Sequence, residues 1–135
     1  MTGGEVRIQL DGRRGAYQPG ETLAGEYRLK SLSVAEPSAV EVSVLWYTEG
    51  QGDEDLAVHY FERLDRDERP DLDLRRSQRF SVALPPSPLS YEGVIVKIHW
   101  CVRVRVFLSR GKELFAEQPF QLGSVPPGQA VEIGS

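Results

Sequence analysis

Sulfur and imidazole are scarce in this chain, which has one cysteine (Cys101), one methionine (Met1) and two histidines (His59 and His99) among 135 residues. A single thiol excludes an internal disulfide framework and fits a reducing compartment. Two histidines leave little for acid–base work, and no Gly-x-Ser-x-Gly elbow, phosphate-cradling glycine loop or His-Glu-x-x-His pair occurs. The expectation is a protein that is not an enzyme and needs no cofactor. No apolar run approaches the ~20 residues of a membrane-crossing helix, and the first residues lack the basic-then-apolar pattern of a secretory signal. A soluble, cytoplasmic chain without membrane insertion is expected. One sign of charge does not dominate either: 16 Lys and Arg against 20 Asp and Glu give a net charge of -4. That balance offers no general attraction for phosphate backbones or anionic lipid, so nucleic acid is not an expected partner.

What the chain does have is period 2. From Val94 to Leu108 every even position is apolar, while the odd ones include Lys97, His99, Cys101, Arg103 and Arg105. This predicts one long strand with Val94 through Leu108 facing inward at alternate residues. The same rhythm recurs over residues 6–10, 23–29, 40–46, 56–60, 80–84 and 114–122. Turn chemistry separates the runs: Gln18-Pro-Gly20, Glu49-Gly-Gln-Gly-Asp53, Pro85 to Pro88 and Ser109-Arg-Gly111. About seven strands with one apolar face each predict an all-β, immunoglobulin-like sandwich of two antiparallel sheets. Residues 62–79 carry dense charge of both signs and are expected to be a solvated connection. One domain over residues 1–123 is predicted, with a loosely ordered tail over 124–135.

Some signals are local. Pro19 presets φ and Gly20 accepts φ > 0, so Gln18 to Glu21 should reverse the chain. Gly25, amid alternating residues, marks a bulge or a close backbone approach.

Two segments carry a family likeness. Tyr17-Gln-Pro-Gly-Glu-Thr-Leu-Ala-Gly-Glu-Tyr27 resembles the opening of arrestin domains, where a Pro-Gly-Glu turn leads into a glycine-interrupted strand. Leu84-Pro-Pro-Ser-Pro-Leu-Ser-Tyr-Glu-Gly93, followed by Ile98-His-Trp-Cys-Val-Arg-Val104, resembles the proline-rich loop, Ser-Tyr/Phe-x-Gly step and long strand of the same domains. Order and separation match the amino-terminal arrestin domain over roughly residues 5–123. The resemblance implies an arrestin-like sandwich and an adaptor or scaffold role. Familiar arrestins place two sandwiches in tandem and this chain has room for one, so interdomain receptor engagement is not implied. A Pro-Pro-x-Tyr ligase-recruiting motif is also absent.

Few residues suggest a site. His99 and Cys101 share a strand face that His59, on another strand, could join, but the tightly spaced Cys-His-Met loop of copper sandwiches is missing; no metal is expected. The acidic stretch Glu49, Asp53, Glu54, Asp55 does not follow calcium-loop spacing and reads as a solvated hairpin tip. Lys97, Arg103 and Arg105 form a basic stripe suited to an acidic or phosphorylated peptide, unless they pair across the sheet with carboxylates such as Glu41, Glu26 or Glu117. The expected function is a protein-interaction module presenting a sheet face or an edge strand to an unknown protein partner or to a second copy as a homodimer. The alternative is a sandwich binding a carbohydrate or a metal. Exposure of Tyr47, Tyr60 and Phe61 together on one face would favour it.

Overall fold

The computed structural model describes residues 4–12, 15–30, 37–52 and 54–123. Strands β4 (Pro37–Gly50) and β8 (Val96–Leu108) form its spine, antiparallel from Pro37 opposite Leu108 to Gly50 opposite Val96. Strand β5 (Leu56–Asp65) pairs with β4, and β9 (Glu113–Leu122) with β8. Two short strands complete this six-stranded sheet: β2 (Ala16–Tyr17) lies parallel to β9, and β7 (Tyr91–Glu92) pairs with the start of β8. The second sheet has three strands in the order β1 (Glu5–Leu10), β3 (Thr22–Lys30), β6 (Gln78–Ala83). A single 3-10 turn, Ser109–Gly111, joins β8 to β9.

Alternation builds the core directly. Val40, Val42 and Val44 of β4 and Val102, Val104 and Val106 of β8 have no exposed surface, and Leu23 and Tyr27 of β3 meet them from the smaller sheet. Each such side chain contributes about 1.5–3 kcal/mol by leaving water. Trp100, 1% exposed, anchors one end of this core and donates its indole N–H to the Pro88 carbonyl at 2.7 Å. The proline-rich connection is thereby tied to the long strand. At the other signature, the Glu21 amide donates to the Gln18 carbonyl at 3.0 Å, with Gly20 at a φ of 86°. Gly25 is a close approach and not a bulge, since its register is unbroken and a Cβ there would sit 2.6 Å from the Gln9 carbonyl oxygen.

The structure corrects several expectations. There are nine strands among the described residues, against about seven, because β2 and β7 are two residues long and too short to show a period. Val94 does not face inward: it is fully exposed at the tip of a two-residue loop closed by the Gly93 amide on the Val96 carbonyl, 3.1 Å. Apolar alternation continues through this turn in the sequence, but the chain has to reverse between β7 and β8, and β8 begins at Val96. Residues 62–79 are not wholly a solvated connection. β5 runs on to Asp65 because its charges have partners, Arg63 donating to Glu41 at 2.7 Å, and Leu74 is 1% exposed within the core. The tail over 124–135 lies outside the described residues.

Candidate functional site

The smaller sheet covers only one face of the larger. Residues of the opposite, outer face lie in rows across β5, β4, β8 and β9, fixed by the register. Val58, Leu45, Cys101 and Pro119 make one continuous apolar row. Phe61, Ser43, Arg103 and Glu117 make the next, and Arg63, Glu41, Arg105 and Phe115 the one after. On the other side Leu56 stands beside Tyr47, which stands beside His99. Leu56, Val58, Phe61 and Phe115 are 50–59% exposed. They are four of the six large apolar side chains left open to solvent among the described residues, the other two being Val94 and Ile95.

The basic stripe lies on this face, and each member has a carboxylate partner. Arg103 bonds Glu117 at 2.6 Å, Arg105 bonds Glu113 at 2.9 Å and approaches Glu41 at 3.8 Å, and Lys97 lies 3.7 Å from Glu92. Glu26 pairs elsewhere, with Arg79 on the smaller sheet. Arg63 completes the lattice through Glu41 and Asp65, and its hydrogen bond to Glu41 raises its pKa above the ordinary guanidinium value. Arg63 and Arg105 flank the ring of Phe107, and Arg103 lies over Phe115. An incoming anion would have to displace a carboxylate from each of these cations. The stripe therefore works first as an ordered polar border.

Beyond the apolar row the charge changes. An open cleft of about 590 Å³ is lined by Tyr47, Leu56, Glu49, Glu54, Asp55, Glu117 and Arg103. His99 donates from Nε2 to Glu49 at 2.7 Å and stacks against Tyr47 with centroids 5.1 Å apart. Glu54 and Asp55 have no ion pair among the described residues. The cleft is thus acidic beside an aromatic ring.

Metal chemistry gains nothing from the geometry. His59 turns away from the outer face, donating from Nε2 to the Ala83 carbonyl at 2.8 Å with its ring edge-on to Trp100. His59 and His99 serve different faces, and among the described residues no three His, Cys, Asp or Glu side chains converge. The carbohydrate platform also divides: Tyr47 and Phe61 lie on the outer face, whereas Tyr60 packs against the core. Cys101 is on the outer face yet only 3% exposed, sheltered between Leu45 and Pro119.

The sequence pointed to the stripe, named Phe61 only as part of a carbohydrate platform, and passed over Leu56, Val58 and Phe115. A signal for Leu56, Val58 and Phe61 was present, because Leu56 to Leu64 has apolar residues on both faces once the Val44/Leu45 bulge shifts the alternation at His59.

No protein-family model matches the sequence, and no curated protein is similar to it. The backbone is similar to the crystal structure of Spo0M, the sporulation control protein of Bacillus subtilis, with a TM-score of 0.62 over 91% of this chain. The fold is arrestin-like. At 14% identity the two share architecture only, and the chain spans half the length of Spo0M. No helix among the described residues is long and apolar enough to cross a membrane.

Proposed function

We propose that this chain is a non-enzymatic, cytoplasmic protein-interaction module, an adaptor or scaffold that presents the outer face of its larger sheet to a partner protein. The observation that carries this reading is that Leu56, Val58 and Phe61 stand together on β5, with Phe115 across the same face on β9, and that no described element covers them. Exposed apolar patches with a polar rim are characteristic of interaction surfaces. Arg63, Arg103 and Arg105, held in their ion pairs, border the β5 strip on one side. Spo0M is described as a control protein, which fits a regulatory role for the shared architecture. The carbohydrate or metal reading loses support because Tyr60 points inward and the ligand-type side chains are dispersed.

The test is chemical cross-linking in the chain's own cells, identification of what is captured, and measurement of the purified partner's affinity. The expected result is a defined protein whose binding is weakened about tenfold by Phe61→Ser with Phe115→Ser. Reproducible absence of any captured protein, or catalytic turnover by the purified chain, would sink the reading. Sedimentation over a range of concentrations decides whether a second copy is the partner.

A further inference from the structure

The edge of the larger sheet makes the partner's chemistry specific. β5 pairs with β4 on one side, and no described strand pairs with its other side. An unpaired edge exposes backbone donors and acceptors that an added strand can use. Proline and lysine, two features that blunt such edges, are absent from Leu56–Asp65, and the bulge at His59 leaves Tyr60–Asp65 and Leu56–Val58 as two regular stretches. Three of its outward side chains, Leu56, Val58 and Phe61, are 55%, 50% and 54% exposed. A strand laid along β5 would cover all three with its own alternate residues.

Charge selects what that strand carries. Beside Leu56 stand Glu49, Glu54 and Asp55, and the cleft they share with Tyr47 is lined by four carboxylates, Glu117 being the fourth, and by Arg103, which Glu117 already holds. A lysine or arginine entering there would meet carboxylates beside the ring of Tyr47. An anionic membrane would be repelled by the same groups. A second copy fits less well, because its β5 would bring a second bulge to the same ladder.

Resting on the interaction-module reading, we propose that the free edge of β5, with the strip of Leu56, Val58 and Phe61 beside it, accepts an extended segment of a partner protein that has apolar residues at alternate positions and a lysine or arginine at the end lying against Glu54 and Asp55.

Four synthetic peptides test this on the full chain: an alternating Val-Thr hexamer with two lysines, or two glutamates, placed at either end. Binding is followed by backbone amide NMR. The expected result is that a lysine peptide shifts the amides of Leu56–Asp65 and Tyr47 and binds about tenfold tighter than its glutamate counterpart. Phe61→Ser, at a half-exposed position the fold does not need, and the pair Glu54→Gln with Asp55→Asn should each weaken it several-fold. The proposal is overturned by no binding of either lysine peptide, by equal binding of the glutamate peptides, or by shifts confined to β1 or β6. Shifts of the β5 amides with protein concentration alone would assign the edge to a second copy and overturn it too. A cellular partner whose affinity ignores Phe61→Ser would remove this site and leave the module reading standing. Peptide binding at β5 in a chain that captures no cellular protein would do the reverse.

Discussion

Cys101 shows how a side chain on an outer face escapes solvent. Its row neighbours Leu45 and Pro119 close over it, and burial pushes the thiol up to about 11, with Glu117 adding to the rise and Arg103 opposing it. Below pH ~9 the thiol is neutral in folded and unfolded chains alike. Between that value and about 11 the unfolded chain releases the proton and the folded chain keeps it, so stability falls with rising pH across this window by roughly 2–3 kcal/mol. At pH 8 the native thiol should react with iodoacetamide at about 1% of the rate of the urea-unfolded chain. Equal rates in the two states would contradict its burial. None of this was legible in the alternation, which gives a face to each residue and says nothing of how tightly the neighbours on that face close.

At the scale of elements, the sequence revealed strands wherever alternation ran for five residues or more, and the Pro-Gly turn before β3. It missed β2 and β7, each too short to show a period: β2 is held by partners far away in the chain, Gln121 and Leu122, and β7 by the near end of β8, Lys97 and Ile98, across a tight turn. The connection from β5 to β6 was obscured for a different reason. Its charges dominate the composition, while its structural contribution rests on Leu72 and above all Leu74, placed in the core beneath a hydrogen-bonded turn from Asp65 to Arg69. Leu74→Ala should therefore cost about 2–5 kcal/mol, read as a lower urea midpoint with an unchanged slope. A loss below 0.5 kcal/mol would return this segment to the solvated connection that the charge pattern suggests. The candidate site was half legible: the arginines announced themselves by position, whereas the apolar strip required the bulge at His59, which only pairing reveals.

The described residues share one core between two sheets. Trp46 and Trp100 both pack on it, and His59 reaches from β5 to β6, linking the two sheets at their open side. Tryptophan fluorescence and far-UV circular dichroism should accordingly give the same urea midpoint. Two separated transitions would mean that the smaller sheet melts on its own.

The parallel pairing of β2 with β9 sets a schedule for synthesis. Residues 16 and 17 are made early but acquire their strand neighbours only when residues 121 and 122 have cleared the ribosome, and until then Phe120 and Leu122 cannot seal the core. A nascent chain halted before β9 would leave the inner side of β8 partly uncovered. The commitment to fold thus waits for β9, and a translational pause before β9 has emerged would prolong exposure to chaperones.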